Sequence, residues 1–331
     1  MTAAIRGRGI AARCTARLLG AQGLDWTLDD APRPSGPAVM LSDPALSLMR
    51  DCLGDPELLA GKRRVQRRVV AWGGQEPATL DHGAIVLDEG DLDQCLEIDN
   101  IYKSNIYSDF SIHAAMPFPS GNMRRFGSRP SGAAQVRLLR EEDGDACRVE
   151  SLDTGWLFLI PVSDTTGWLL AIGGSPDELL PQSRHLGARV ELSRLSGASF
   201  ETAPGMLECL AAPGWLACGT AAIAFDPICG DGTAQAVREA VLAAAVVQAL
   251  AEGENAQALA THYHSMLLAA MRRHLKLCAQ FYATGGKGAW WQAQLAALAE
   301  GFEWCTAALS RLPEPRYELR GLRLVPRETV T

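Results

Sequence analysis

The sequence predicts an α/β fold in which a βαβ-based unit is interrupted by an antiparallel sheet and followed by a helical region. Three observations carry this. Ala3–Ile5 is a short apolar strand that feeds a glycine-rich turn and a helix, and Trp215–Cys218 feeds a second turn of the same kind. Between 134 and 173, short apolar segments alternate with turn residues, the spacing of a β meander. After Gly232 nearly every stretch carries apolar residues at helical spacing.

Taken in order, Gly9 to Gly20 reads as a helix with Ile10, Ala11, Leu18 and Leu19 on one side, broken by Gly23. Leu24–Leu28 follows as a strand ending in Asp29-Asp30, completing a βαβ unit of dinucleotide-binding size. Residues 31–37 hold three prolines and are predicted as loop, since proline denies both helix and ladder hydrogen bonds. Asp43–Leu53 is a helix with Leu46, Met49 and Leu53 on one face, Leu59–Trp72 a strand, and Gly90–Leu96 a short capped helix. From Asn100 to Pro130 the pattern is irregular and no element is assigned. The meander comprises Ala134–Leu139, Ala146–Leu152, Trp156–Val162 and Trp168–Ile172. Met206–Leu210 and Trp215–Cys218 read as two strands joined by Ala-Pro-Gly, and helices are predicted over Ala234–Leu250, Ala256–Phe281 and Trp290–Ala308. Tyr317–Val325 reads as a strand or an extended tail.

At 331 residues, 47% hydrophobic and 21% charged, the chain has the composition of a globular protein with a sizeable core. A net charge of -7 argues against a nucleic-acid partner, since such proteins carry a basic face. The basic run Lys62–Arg68 reads as a solvated face or a local anion contact. The 9 cysteines show no Cys-x-x-Cys spacing, so neither a zinc site nor a disulfide framework is indicated and reduced thiols in a cytoplasmic protein are expected. No metal site is predicted from the histidines either, because His262-x-His264 on a helix sends its rings to different faces. No membrane partner is predicted: the longest apolar helix carries Glu239 and Gln248, and Arg6, Arg8 and Arg13 interrupt the N-terminal apolar patch.

The chemistry lies in the two turns. In Gly7-Arg-Gly-Ile-Ala-Ala12 the first glycine permits the tight turn, Gly9 lets the backbone approach a pyrophosphate, and the small Ala12 lets helix and strand pack closely. The phosphates would sit on the helix N-terminus, at the positive end of its dipole. Arg8 is a solvent-facing residue or a cation beside those phosphates. Asp30, at the end of the second strand, stands where an acid accepts hydrogen bonds from a ribose. In the second turn, Gly230-Asp231-Gly232 gives a backbone that can approach a ligand and Thr233 can cap the next helix, although Asp226-Pro227 and Asp231-Gly232 are also ordinary turn residues.

The stretch from Trp215 through Gly219-Thr220-Ala221 to Phe225-Asp-Pro-Ile-Cys-Gly-Asp-Gly-Thr233 resembles the second FAD-contacting motif of the flavoprotein monooxygenases related to para-hydroxybenzoate hydroxylase and of the flavin-dependent halogenases. Residues 7–12 match the first motif. Gly155-Trp-Leu-Phe-Leu-Ile-Pro161 is similar to the Gly-Trp-x-Trp-x-Ile-Pro signature of the halogenase-like branch, with Phe158 in place of the second tryptophan. The resemblance implies a Rossmann-like FAD-binding domain at 1–98 and 205–255, a β-sheet substrate domain at 99–204 and a helical region at 256–331. It implies FAD as cofactor, contacted by Gly7, Arg8, Gly9, Ile10, Ala12, Asp30, Thr220, Asp226, Gly230, Asp231, Gly232 and Thr233, and oxidation of a small-molecule or peptide substrate through a flavin hydroperoxide. Trp156 and Phe158 would wall the substrate or lie in the core. The chain departs from the family pattern at Thr220, where the family has aspartate, and in the brief interval 95–115. The halogenase lysine has no match, since Lys62 and Lys103 sit in no motif, and no catalytic residue is assigned. These departures leave a second reading, a homologue that has lost FAD and acts as a binding or accessory protein.

Overall fold

The computed structural model describes residues 1–31, 38–96, 108–193 and 197–327. The proline-rich loop at 32–37, Lys103 and part of the 95–115 interval lie outside the described residues. Strand β1 (Thr2–Arg6), helix α1 (Ile10–Ala21) and strand β2 (Asp25–Asp29) form the expected N-terminal unit, with β1 and β2 parallel and Ile5 beside Leu28. Gly23 ends the helix region at φ +72°, a conformation that side chains disfavour. Next come β3 (Val39–Ser42), α2 (Asp43–Leu53), β4 (Arg64–Ala71), β5 (Ala78–Leu87) and α3 (Glu89–Cys95), whose cap Asp88 accepts the Asp91 N–H.

After β6 (Phe110–His113) and β7 (Met123–Arg125) the meander appears as predicted: β8 (Pro130–Leu138), β9 (Ala146–Leu152), β10 (Gly155–Pro161) and β11 (Thr166–Ile172). The short helix α4 (Pro176–Leu179) precedes β12 (Val190–Leu192), β13 (Ala198–Glu201), β14 (Gly205–Leu207), β15 (Ala211–Ala212), β16 (Trp215–Ala217) and β17 (Ile223–Ala224). Three long helices, α5 (Gly232–Ala251), α6 (Ala256–Gly285) and α7 (Ala289–Leu309), lead to the hairpin β18 (Tyr317–Arg320) and β19 (Arg323–Pro326).

The strands assemble across the expected boundaries. One sheet has the order β15-β16-β6-β1-β2, and its strands β16, β6, β1 and β2 run parallel. A second, larger sheet takes β3, β4 and β5 from the N-terminal third and joins them to the meander, with β4 parallel to β9. Residues 1–98 are therefore shared between two sheets, and β6 from the expected substrate segment lies between β1 and β16. Strand pairing is decided by long-range hydrogen bonding, which local patterning does not encode. Likewise the Ala212-Pro-Gly turn joins β15 to β16, while β14 pairs with β7 and β17 in a separate sheet.

All seven residues of β10 are buried, because its sheet is covered on both faces. Trp156, Phe158 and Ile160 face the large core shared with α1 and α5, whereas Leu157 and Leu159 face a smaller core under Leu179 and Leu186. Helix α5 is long and apolar enough to span a membrane by length and composition, yet it packs against α1, α2 and α6 with Val237, Ala240 and Ala243 buried.

Candidate functional site

The parallel strands β2, β1, β6 and β16 end together, and the chain leaves three of them in glycine or alanine turns. Gly7 donates to the Asp29 carbonyl at 2.8 Å, Ala114 to Arg6 at 2.7 Å and Cys218 to His113 at 2.9 Å, so the ladder continues past the strand ends. Gly7 sits at φ +137°, and a Cβ there would lie 2.9 Å from the Ala114 Cβ, so only glycine suits this turn. Gly219, at φ +76°, would bring a Cβ to 3.3 Å from Ala11. The turn after β1, the end of β6 and the turn after β16 thus converge on the first turn of α1.

Gly9 caps α1 in extended conformation and supplies no side-chain hydrogen bond to its first N–H groups. Ala12 is fully buried. Asp30 stands at the end of β2 with Arg8 at 4.0 Å and the buried Arg13 at 3.8 Å, and Arg13 donates from Nε to the Arg8 carbonyl at 3.0 Å. Arg8 is half-exposed at the mouth of the turn.

The second turn is built differently. Its Asp226 carboxylate, expected at the cofactor, is 1% exposed and points into the protein. It pairs with the Arg129 guanidinium and accepts the Tyr282 hydroxyl at 2.9 Å and the Ile228 N–H at 2.9 Å. Arg129 also donates to Gln294 at 2.7 Å, and Trp156 donates to the Tyr282 hydroxyl at 3.2 Å. The Asp226 N–H donates to His274 Nε2 at 2.8 Å. Burial raises the Asp226 carboxyl against the pull of Arg129, the Ile228 N–H and Tyr282. Burial and the Arg129 charge push His274 down to about 3, so its ring is neutral. Asp226 shapes the turn from within because a carboxylate this deep needs a cation and several donors.

Beyond it the chain makes one 3-10 turn over Pro227–Cys229 and a left-handed Gly230 at φ +62°. Gly232 begins α5, so Asp231, not Thr233, is the residue before the helix, and Thr233 lies in the first helical turn. Asp231 pairs with Arg238 at 2.9 Å and makes no side-chain cap. A Cβ on Gly232 would meet nothing within 4 Å, which leaves the α5 N-terminus open. Thr220 is exposed.

Trp156 and Phe158 both lie on the face of β10 that meets the large core. Trp156 is 1% exposed and packs edge-on to Trp72, with ring centroids 6.3 Å apart, which makes it a core residue. The Arg68 guanidinium lies 5.9 Å from the Phe158 ring and 3.1 Å from His82 Nε2. Arg68, from the basic run, thereby connects β10 to the neighbourhood of Gly230.

Several residues here escape sequence reading. Glu239 of α5 accepts the Gly219 N–H at 2.5 Å while fully buried, and burial pushes its carboxyl up to about 8 against the Gly219 and Gln235 hydrogen bonds. Tyr263 donates to the Ala217 carbonyl at 2.8 Å. Cys229, His274 and Cys278 also gather. His274 and Cys278 are four apart on α6, a one-face spacing visible in the sequence, but the third member comes from a distant turn.

These features suit a dinucleotide. Gly7 makes a tight turn packed against Ala114, two helix N-termini carry no side-chain cap, and an acid follows β2.

No protein-family profile matches the chain, and no curated protein matches it in sequence. Its fold is that of several solved flavoproteins. It is similar to the flavin-dependent halogenase CmlS at TM-score 0.73 and 17% identity, covering 97% of this chain and 74% of that one. The peptidyl tryptophan dihydroxylase QhpG, essential for tryptophylquinone cofactor biogenesis, aligns at TM-score 0.70 and 18% identity over 88% of this chain and 78% of its own. Klebsiella pneumoniae HpxO complexed with FAD aligns at TM-score 0.64 and 16% identity over 94% of this chain and 98% of its own.

Proposed function

We propose that this chain is an FAD-dependent oxidoreductase of the monooxygenase-like class. The observation that carries the reading is the convergence of Gly7, Ala114 and Gly219 on the uncapped N-terminus of α1, at the end of four parallel strands. The Rossmann-like arrangement of βαβ unit and distant third and fourth strands supports it, as does the shared fold with flavin-dependent halogenases and an FAD complex.

In this reading the backbone of Gly7, Gly9, Ile10 and Ala12 holds the pyrophosphate, with Arg8 beside it and Asp30 at the ribose. Thr220 offers a hydroxyl where a carboxylate is absent, and Gly230, Asp231, Gly232 and Thr233 face the flavin end. Bound FAD supplies the two-electron and oxygen chemistry that side chains lack. The protein's own task is to hold two turns in register. Arg129 and Tyr282 fix the second turn through Asp226, and Gly219 is fixed through Glu239. The substrate of this reading is a small organic molecule or a peptide, and since Phe158 is buried in the same core as Trp156, neither ring is assigned to its wall. Nine free cysteines fit a reducing, cytoplasmic compartment.

A second reading, a binding or accessory protein without cofactor, is favoured by Thr220 and by the brief 95–115 interval. FAD titration followed by flavin fluorescence separates the two. Wild-type protein is expected to bind FAD, and Gly9→Trp to lose binding while keeping its circular dichroism, because indole fills the space at the α1 N-terminus. Wild-type protein that stays colourless and leaves FAD fluorescence unchanged sinks the first reading.

A further inference from the structure

The second turn contains a side-chain cluster that cofactor binding does not use. Cys229, at the end of the 3-10 turn before Gly230, has its sulfur 3.6 Å from that of Cys278 on α6. Cys278 Sγ lies in turn 3.3 Å from His274 Nε2. Such a trio has the ligand chemistry of a soft metal site. His274 does not suit that role, however. Its Nε2 lone pair already accepts the Asp226 N–H at 2.8 Å, and a metal bound there would orphan a buried donor in the turn. Joining the two sulfurs gives up the Cys278 contact to His274 but leaves the Asp226 N–H on its acceptor.

We propose that Cys229 and Cys278 are an oxidisable dithiol that closes to a disulfide and pins the second turn to α6. The sulfurs need to approach by about 1.5 Å to reach bonding distance, a shift within the reach of side-chain rotation. Their exposures differ in a useful way. Cys229 is half-buried and within reach of a small oxidant, whereas Cys278 is fully buried and meets only what Cys229 presents to it. Burial also pushes the Cys278 thiol up, which keeps it protonated and unreactive towards solvent.

The oxidant is a hydroperoxide, with hydrogen peroxide the simplest. The Cys229 sulfur attacks one peroxide oxygen, the O–O bond breaks, and Cys229 becomes a sulfenic acid as one water leaves. The Cys278 sulfur then attacks the Cys229 sulfur. The S–O bond breaks, and the departing hydroxide takes the Cys278 proton as a second water. Two thiols have lost two electrons and two protons, and one peroxide has become two waters. His274 stays neutral throughout and keeps its bond to Asp226.

The disulfide links residue 229 to residue 278, so it fixes the Pro227–Cys229 turn against α6 and narrows the freedom of Gly230. If the proposed FAD reading holds, oxidation also changes FAD affinity. That consequence rests on the reading, whereas the cross-link does not.

The test treats the full chain with hydrogen peroxide, with a phosphine reductant as control, and follows intact mass and disulfide mapping. The expected result is a species two hydrogens lighter, with the Cys229 peptide joined to the Cys278 peptide, two fewer alkylatable thiols, and full reversal by reductant. Cys229→Ser, changed at a partly exposed position, should lose the cross-link while retaining wild-type circular dichroism. Oxidation of Cys229 to sulfinic acid without cross-linking overturns the proposal, as does a disulfide between other cysteines. One equivalent of Zn(II) protecting both thiols from alkylation in wild type, but not in Cys229→Ser, overturns it in favour of a metal site. FAD titration of the oxidised and reduced forms then tells a failed cofactor reading from a failed dithiol, since the first leaves the cross-link intact.

Discussion

The two glycine turns that lead into α1 and α5 are held by opposite means. At residues 7–12 the work is done by backbone. Gly7 takes a conformation reserved for glycine, Gly9 leaves the helix end uncapped, and the buried Arg13, which donates to the Arg8 carbonyl, reaches the loop from only five residues away. At residues 226–233 the backbone is held by buried side chains from far away: Arg129 from the segment before β8, and His274 and Tyr282 from α6. The difference teaches that a glycine turn can be self-determined, while a turn carrying a carboxylate inward depends on the whole fold.

The largest effect should come from breaking the second turn's charge pair. Arg129→Met leaves Asp226 buried without its cation and is expected to destabilise by about 3–5 kcal/mol. Pairing it with Asp226→Leu should recover much of the loss, measured by urea unfolding. Equal instability of the single and double variants would show that the turn needs the ion pair itself.

Titration should distinguish the turns next. Glu239, which holds Gly219, has its carboxyl raised to about 8 in the fold, so the folded protein binds the extra proton and stability falls as pH rises from about 4.5 towards 8. His274, which holds the Asp226 N–H, is lowered to about 3, so its contribution is full above about 6.5 and is lost as pH falls towards 3. Each limb is limited to about 1.4 kcal/mol per pH unit. Unfolding measured across this range is expected to show Glu239→Gln flattening the alkaline limb and leaving the acid limb in place. A variant that leaves the alkaline limb unchanged removes Glu239 from this role.

The glycines give a smaller contrast. Gly7→Val combines a φ of +137° with contact against Ala114 and should lose about 1–3 kcal/mol. Gly232→Ala meets open space at a helix start and should change stability by less than about 0.5 kcal/mol, as read from thermal melts. Similar losses at both positions would remove the distinction between a packed cradle and an open helix end.

Legibility follows the same divide. The helix over Asp43–Leu53 and the strand at Trp156–Val162 were readable because amphipathic period and apolar runs are local properties. The turn at Gly7–Ala12 was readable because glycine at a strand end followed by small residues has few structural explanations. For Asp226 the resemblance implies a cofactor contact, and its inward turn is not legible because the buried arginine that holds it lies 97 positions away. For Trp156 the sequence leaves wall and core open, and its neighbours decide for core. The seam between sheets fell within 1–98 because nothing in β4 announces that it will lie parallel to β9.

The sequence by itself determined the βαβ start, the meander, the three terminal helices and the two glycine turns, since each follows from steric limits and periodicities acting over a few residues. Only the tertiary structure decided that β6 inserts between β1 and β16, that Asp226 faces Arg129, and that Cys229 meets Cys278. Those outcomes depend on burial, which forces polar groups to find partners wherever the chain brings them, and burial is a property of the assembled molecule rather than of any segment.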